Sequence, residues 1–272
     1  MSRRSRTSPA FPATLRPLTG VLITGASGGI GRALARLCAR PGVTLFLWGR
    51  HEGRLEETAA LCRARGAVAH IRALDLADGR AALAALREDD GRAPVDLLLL
   101  GAGLPDIRPP EALTEDPEVV LAMAQVNFAT PVAMATEAAR LMAARGRGAI
   151  AAIGSVAAFH DLPQATAYAG GKAGLARFMT ALHAAMAPHG VRVTVVSPGY
   201  IDTAMSRRLN GARPFLMTPE DAAARILDAL GRNAPHVVFP RVFVLLKWLD
   251  ALLPRCIVHR LMRRAVVRQS PA

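Results

Sequence analysis

Residues 20–38 join a short apolar run, a glycine-rich turn and a helical pattern, and this combination constrains the fold more than any other stretch. Gly20-Val21-Leu22-Ile23 is typical of a buried strand, and it runs into Thr24-Gly25-Ala26-Ser27-Gly28-Gly29-Ile30-Gly31. Apolar residues then recur at helical spacing and predict a helix directly after the turn: Ala33, Leu34, Leu37 and Cys38. A strand, a glycine turn and a helix in this order indicate a dinucleotide diphosphate site, with an ordinary turn as the alternative.

Each glycine of this turn has a separate predicted task. Gly25 allows the tight turn, Gly29 lets a diphosphate approach the backbone, and Gly31 lets helix and strand pack closely. The diphosphate is expected at the helix N-terminus, where free N–H groups and the helix dipole favour an anion. The remaining residues of the turn, Ser27, Gly28 and Ile30, are assigned to the same cofactor-binding loop.

Beyond the turn, predicted strands and helices alternate as far as residue 240. Strands are predicted over 43–48, 67–74, 95–100, 149–153, 191–196 and 236–239, and helices over 51–65, 79–88, 116–145, about 166–187 and 219–231. This alternation predicts a single-domain, Rossmann-type doubly wound parallel sheet of about seven strands with helices on both faces. We expect residues 1–19 to form a flexible basic arm, 20–240 the cofactor-binding catalytic domain, and 241–272 a basic amphipathic helical tail.

Residues at the strand ends complete the predicted cofactor site. An acid at the end of the second strand usually holds the ribose 2′-hydroxyl of NAD, but Gly49-Arg50 stands there instead. A guanidinium binds phosphate with two hydrogen bonds, so Arg50 favours NADP(H) over NAD(H), unless it is merely a solvated arginine. Asp75, next to Leu76, either accepts from the adenine amino group or caps a helix. Gly101-Ala102-Gly103 is small enough for a cofactor to lie over it.

A tyrosine and a lysine one helical turn apart carry the main chemical signal. Tyr168 and Lys172 are expected on the same face of a helix, and the chain has only two tyrosines and two lysines. The ammonium is expected to lower the pKa of the phenol, and a nearby Ser155 hydroxyl would hold a carbonyl oxygen that gains negative charge. Such a set delivers a proton to an oxygen; the alternative is a packed tyrosine beside a solvated lysine.

The net charge of +13 is concentrated at the two ends of the chain. Residues 1–19 carry four arginines and no acid, and residues 241–272 carry seven basic residues and one acid, which leaves +3 for the body. Basic ends on a near-neutral body favour an anionic lipid surface over a nucleic-acid groove, with solubility as the alternative. The three cysteines, Cys38, Cys62 and Cys256, lack metal-ligand spacing, so no metal site and a reduced cytoplasmic setting are expected. The N-terminal arginines are followed by no apolar run that predicts a secretory signal.

Together these residues resemble the compact branch of the short-chain dehydrogenase/reductase superfamily over about residues 20–240. Thr24 to Gly31 matches its T-G-x-x-x-G-x-G fingerprint, and Ser155, Tyr168 and Lys172 match its catalytic trio. The remaining matches are Asn127 in the helix after the fourth strand, Pro198-Gly199 beside the nicotinamide with Ile201 following, and Thr203 as the carboxamide contact.

The resemblance implies NAD(P)-dependent reduction of a carbonyl or oxidation of an alcohol. Tyr168 would be the general acid and base, with Ser155 as the donor to the developing oxyanion. Lys172 would bind the nicotinamide ribose and lower the pKa of Tyr168, and Asn127 would support a water in a proton relay. Two departures remove no reacting group: Gly101 replaces an asparagine that ties strands together, and Gly170-Gly171 costs about 1 kcal/mol of helix propensity per glycine.

The C-terminal segment departs from the resembled pattern. After Pro254, apolar and basic residues alternate so that one helical face is apolar and the opposite face carries arginines. This pattern is typical of a helix on an anionic membrane; packing on the domain, covering the substrate mouth or joining subunits are the alternatives. A homo-oligomer, dimer or tetramer, is expected by analogy with the resembled family.

The sequence therefore predicts a cytoplasmic NADP(H)-dependent oxidoreductase, peripheral at a membrane if the tail binds lipid, that acts on a small-molecule carbonyl or alcohol. An apolar substrate is expected from Leu104, Phe159 and a mobile flap over 200–218 that carries Met205, Leu209, Phe215, Leu216 and Met217. The alternatives are an NAD-linked alcohol dehydrogenase and a non-catalytic NADP-binding or membrane-associated interaction protein.

Overall fold

A seven-stranded parallel sheet forms the centre of the molecule, as the alternation of elements predicts. The computed structural model describes residues 11–105, 111–210, 212–245, 252–254, 258 and 268–269. The strands, numbered in chain order, pair in the order β3-β2-β1-β4-β5-β6-β8. They are β1 (Gly20–Thr24), β2 (Thr44–Gly49), β3 (Val68–Ala73), β4 (Leu97–Leu100), β5 (Gly148–Ile153), β6 (Val191–Pro198) and β8 (His236–Phe239). The two-residue strands β7 (Leu209–Asn210) and β9 (Arg268–Gln269) pair antiparallel outside this sheet.

Helices cover both faces of the sheet. They are α1 (Gly29–Cys38), α2 (Glu52–Arg63), α3 (Gly79–Arg92), α4 (Pro117–Ala124), α5 (Thr130–Ala144), α6 (Thr166–Met186), α7 (Ala204–Arg207) and α8 (Pro219–Gly231). One core joins the sheet to α1, α2 and α8 through side chains such as Leu34, Leu55 and Ile226. The other joins it to α3, α5 and α6 through Leu86, Met134 and Met179. Every residue of β1, β4 and β5 is buried, which is why these strands are near-continuous apolar runs.

The order of the strands places the binding crevice. The chain leaves β1 toward β2 and β3 on one side, and β4, β5 and β6 follow on the other. Parallel sheets of this kind bind ligands outside the carboxyl ends of the strands where the order reverses. The residues after β1, β4, β5 and β6 therefore converge on one edge.

Part of the predicted flexible arm packs on the domain. Residues 1–10 lie outside the described part of the chain, but Ala13–Leu15 forms a turn of 3-10 helix in which Leu15 is fully buried. The Thr14 hydroxyl donates to Gly231 O at 3.0 Å, at the end of α8. The expectation of a loose arm is therefore wrong for residues 12–18, because the apolar Leu15 and Leu18 are held in the core.

The helical region predicted over 116–145 contains an irregular turn. A π-helical turn, Gln125–Ala129, lies between α4 and α5. Within the described ranges, the resulting helix Pro117–Ala144 is the one whose length and apolar composition would allow it to cross a membrane. Its side chains Met134, Ala138 and Met142 are buried in the domain core.

The tail is described only at its start and at a few later positions. Residues 242–245 are helical, and Phe243 is buried. Most of the residues on which the amphipathic prediction depends lie outside the described part of the chain, so that prediction stands untested.

Candidate active site

Ser155, Tyr168 and Lys172 meet at the carboxyl end of β5. Ser155 follows β5 by two residues and begins a 3-10 turn, where its Oγ accepts from Ala157 N at 3.1 Å. The Ser155 side chain interacts with the Tyr168 phenol and lowers its pKa. Lys172, one turn along α6 and 5 % exposed, donates from Nζ to Ile153 O at 2.8 Å. The three side chains that the sequence singles out therefore form one cluster.

Burial sets the protonation of the phenol and of the ammonium. It raises the pKa of Tyr168, and the hydrogen bond with Ser155 offsets only part of this effect. Burial likewise lowers the pKa of Lys172 to about 8. The expectation that Lys172 brings the pKa of Tyr168 down is therefore wrong: Nζ lies 5.9 Å from the ring centroid, and loss of water around the phenol dominates. At neutral pH Tyr168 is consequently a protonated phenol, the form that can donate a proton.

Asn127 lies in the π-helical turn, buried behind the cluster. Its Oδ1 accepts from Leu104 N at 2.9 Å and its Nδ2 donates to Leu104 O at 2.8 Å. The side chain thus holds the segment that leaves β4. A Cβ at Gly103 would lie 3.0 Å from Asn127 Oδ1 and 3.6 Å from Lys172 Nζ, so Gly103 separates the two. The predicted water relay remains untested, and the π turn that presents Asn127 carries no recognisable sequence signal.

The glycine turn is too crowded for other residues at two positions. Gly25 has a φ of +69°, and a Cβ there would lie 2.9 Å from Ala102. A Cβ at Gly31 would lie 2.1 Å from Gly25 O, so the first turn of α1 rests directly on the turn after β1. Gly28 precedes the first helical residue, Gly29, so the unpaired N–H groups at the start of α1 face this edge of the sheet.

Thr24 ties β1 to the end of β4. Its Oγ1 accepts from Gly101 N at 3.1 Å and from Ala102 N at 3.2 Å. The asparagine that the resembled family carries at position 101 would clash with Thr24 O, because a Cβ there would lie 2.9 Å from that oxygen. In this chain a threonine therefore makes the connection between strands.

Two arginines flank the end of β2. Arg50 is exposed directly after the strand. Arg54, which sequence reasoning missed, donates from Nη2 to Ser27 O at 3.3 Å and so lies over the glycine turn. A Cβ at Gly49 would lie 3.1 Å from Ser27 Oγ, which places the Ser27 hydroxyl against the strand end. The sequence could have indicated Arg54, because it follows Arg50 by only four positions and lies in the first turn of α2.

Asp75 has a different local role from the helix cap considered in the sequence. Its Oδ1 accepts from Ala77 N at 2.9 Å in the turn after β3, and Asp78 is the N-cap of α3, accepting from Ala81 N at 2.9 Å. Leu76 is buried, and its carbonyl accepts from Thr130 Oγ1 at 2.7 Å. The helix-cap alternative for Asp75 is therefore wrong, and the adenine contact stays a prediction.

The segment after β6 lies against the glycine turn. Thr203 is the N-cap of α7, its Oγ1 accepting from Ser206 N at 3.2 Å, and its Cγ2 would lie 2.7 Å from a Cβ at Gly29. Ile201 is buried and forms a bridge with Met217 that closes the base of the predicted flap. Gly199 follows Pro198, and a Cβ there would lie 2.7 Å from the ring of Phe243.

These features fit a bound dinucleotide. Gly25 and Gly31 pack closely, and the half-buried residues 27–30 between them leave backbone partly open at the N-terminus of α1, where a diphosphate is favoured. Ser27, Arg50 and Arg54 lie at the β2 side of β1, and Lys172, Pro198 and Gly199 lie at the β5 and β6 side of the same edge. The residues present therefore suit the cofactor class that the sequence predicts.

Comparison with known proteins supports the same conclusion. The profile of the family described as short chain dehydrogenase matches residues 19–214. An uncharacterized oxidoreductase of Myxococcus xanthus is 32 % identical over 220 residues, covering 80 % of this chain and 86 % of the relative. Dehydrogenase/reductase SDR family member 7B of Bos taurus is 34 % identical over 237 residues, covering 80 % and 72 % of the two chains.

A solved structure agrees over nearly the whole fold. The short-chain dehydrogenase of Sphingobium yanoikuyae in complex with NADPH is 28 % identical, with a TM-score of 0.75, covering 94 % of this chain and 98 % of that chain. The matched region contains the glycine turn and the Ser155, Tyr168 and Lys172 cluster. The chain therefore belongs to the short-chain dehydrogenase family and is an NAD(P)-dependent oxidoreductase of that family.

Proposed function

We propose that the protein reduces the carbonyl group of an apolar substrate with NADPH, with Tyr168 as the proton donor. The cluster of Ser155, Tyr168 and Lys172 at the carboxyl end of β5 carries this proposal. A carbonyl oxygen placed between the two hydroxyls receives a hydrogen bond from Ser155 and a proton from Tyr168. The bound nicotinamide supplies the hydride to the carbonyl carbon.

The protonation states suit reduction. Burial raises the pKa of Tyr168, so the proton is present at neutral pH. Lys172 has three donors, of which one goes to Ile153 O, and another is available for the nicotinamide ribose. The opposite reaction, alcohol oxidation, uses the same groups in reverse.

The preference for NADP(H) rests on the two arginines. Arg50 is exposed directly after β2, Arg54 contacts the Ser27 carbonyl of the glycine turn, and β2 ends at Gly49 rather than at a carboxylate. An NADPH complex of a relative with the same fold supports the assignment. We expect Arg50→Ala and Arg54→Ala each to weaken NADPH binding about tenfold or more and to leave NADH binding unchanged. Equal losses for the two cofactors would favour the NAD-linked alternative.

Contacts beyond the substrate are part of the proposal. Exposed apolar side chains at the start of α4 and before it, Leu113, Val119 and Leu121, support assembly with a second copy. Phe215, Leu216 and Leu245 are also exposed around the flap and the start of the tail, which supports peripheral contact of a cytoplasmic enzyme with an anionic membrane.

The decisive experiment is a panel of carbonyl compounds tested for NADPH consumption, with the Tyr168→Phe variant as control. The phenylalanine keeps the ring but removes the proton, so consumption should fall at least a hundredfold while NADPH still binds. NADPH binding without turnover of any carbonyl, or full activity of Tyr168→Phe, would refute the proposed function and favour the non-catalytic alternative.

A further inference from the structure

The catalytic helix α6 begins without a capping side chain of its own. Its N-cap residue is Ala165, which has no side-chain acceptor, so the first N–H groups of the helix need another partner. Tyr168 is the third residue of this helix, within the turn that lacks the cap. Any fraying of the turn therefore moves the phenol directly.

Glu115 supplies the missing acceptor from elsewhere in the chain. Its Oε2 accepts from Thr166 N at 3.1 Å, from Ala167 N at 3.2 Å and from the Thr166 hydroxyl. The carboxylate is buried, at 8 % exposure, and no cationic side chain of the described residues forms an ion pair with it. A buried, unpaired carboxylate is costly unless hydrogen bonds and a helix N-terminus stabilise it, and this arrangement provides both.

The same segment is also held at its other end. Leu104, where the chain leaves β4, is bound on both backbone groups by Asn127, and Glu115 closes the connection before α4. Asn127 lies beside Lys172, separated by Gly103. The connection between β4 and α4 is therefore fastened at one end to the π turn of Asn127 and at the other end to α6, which carries Tyr168 and Lys172.

We propose that Glu115 is a positioning residue for Tyr168, fixing the first turn of α6 so that the phenol stays against Ser155. The proposal rests on the proposed role of Tyr168 as proton donor. Glu115 acts through the Thr166 and Ala167 N–H groups. Misplacement of a reacting group by about 1 Å can cost about a hundredfold in rate, so a loosened turn has a measurable effect.

The test uses the small number of tyrosines in the chain. With Tyr200→Phe as background, Tyr168 is the only tyrosine, so the absorbance change on phenolate formation reports its ionisation alone. The titration is read by rapid pH jumps, before alkaline unfolding. Glu115→Gln keeps the shape but replaces one acceptor oxygen with a donor NH₂. We expect the midpoint for Tyr168 to fall toward the ordinary value for tyrosine, because the freed turn exposes the phenol to water.

A kinetic measurement separates positioning from simple stability. With NADPH and a carbonyl compound from the panel above, kcat of Glu115→Gln should fall about tenfold while KM for NADPH stays unchanged. The matched control is Asp116→Ala, which removes the neighbouring cap: Asp116 Oδ1 accepts from Glu118 N at 2.8 Å at the start of α4. Asp116→Ala should leave both the titration midpoint and kcat unchanged.

The outcomes are distinct. A Glu115→Gln variant with unaltered midpoint and kcat overturns the proposal, and so does an Asp116→Ala variant that changes them equally. Glu115→Asp replaces Glu115→Gln as the test variant if circular dichroism shows that Glu115→Gln does not fold. The aspartate keeps the charge but is too short to bond both N–H groups. We then expect the Tyr168 titration midpoint to fall in the same direction by a smaller amount. The titration needs no substrate, so it decides the role of Glu115 even if no carbonyl is reduced and the proposed function fails.

Discussion

The buried ammonium of Lys172 should make the stability of the protein depend on pH in a predictable direction. Burial lowers its pKa from 10.5 to about 8 in the folded chain. At a pH between these two pKa values, Lys172 is still protonated in the unfolded chain but has lost its proton in the folded chain. The contribution of Lys172 therefore destabilises the fold fully below about pH 8, and this penalty disappears as the pH rises toward 10.5.

The size of the effect follows from the same two values. Each pH unit between them corresponds to about 1.4 kcal/mol, so the whole penalty is about 3 kcal/mol. Of this, about 2 kcal/mol should be recovered between about pH 7 and about pH 9.5, a range that stays below the raised pKa of Tyr168. Lys172→Met removes the titrating group and adds a pH-independent cost, since Ile153 O loses its donor.

Urea unfolding of wild type and Lys172→Met at several pH values measures the effect. The difference in unfolding free energy, wild type minus variant, should increase by about 2 kcal/mol over that range, whatever its value at pH 7. Other titrating groups are common to both proteins and cancel. A difference that stays constant with pH would show that the ammonium is solvated, and it would refute the assignment of a buried, destabilising lysine at the site.

Three further substitutions test other features of the structure. Gly31→Ala should abolish NADPH binding and lower the unfolding free energy by at least about 2 kcal/mol, because its Cβ would lie 2.1 Å from Gly25 O. The control is Gly53→Ala, whose Cβ would have no atom within 4 Å. In NADPH and urea titrations this control should neither lose cofactor binding nor lose stability. Gly170→Ala should raise the unfolding free energy by roughly 0.5–1 kcal/mol in urea titrations, because its Cβ meets nothing within 4 Å; a lower value would show that something packs on this turn. Leu121→Arg should shift the molar mass in light scattering toward the monomer, since Leu121 is 64 % exposed on α4; an unchanged mass would exclude this face from the subunit interface.

The sequence predicts the sheet well because its strands are buried on both faces. A short, continuous apolar run such as Leu97–Leu100 is readily assigned to a buried strand when clear helix and turn patterns flank it. The bounds of α8 and β8 agree with the predicted ranges 219–231 and 236–239. The helix predicted over 79–88 continues to Arg92, since nothing in that sequence forces an earlier end.

What the sequence did not predict depends on contacts between distant residues. The partners Glu115 and Thr166 are 51 positions apart, and no local pattern connects a glutamate to a helix start at that distance. The predicted direction of the Tyr168 pKa shift was wrong for a related reason. The spacing of Tyr168 and Lys172 indicates that a positive charge lies near the phenol, whereas the loss of water around the phenol depends on the folded surroundings. Arg54, by contrast, lies only four positions after Arg50, so a second basic residue near the end of β2 was open to prediction.

The contact between Gly31 and Gly25 also limits how this enzyme can diverge. Because the start of α1 rests on the turn after β1, exchanging either glycine costs the fold before it alters the choice of cofactor. Variation in that choice is left to side chains around the turn that have room to change, Ser27, Arg50 and Arg54. Attempts to convert the enzyme to NADH should therefore randomise these three positions and leave the glycines untouched.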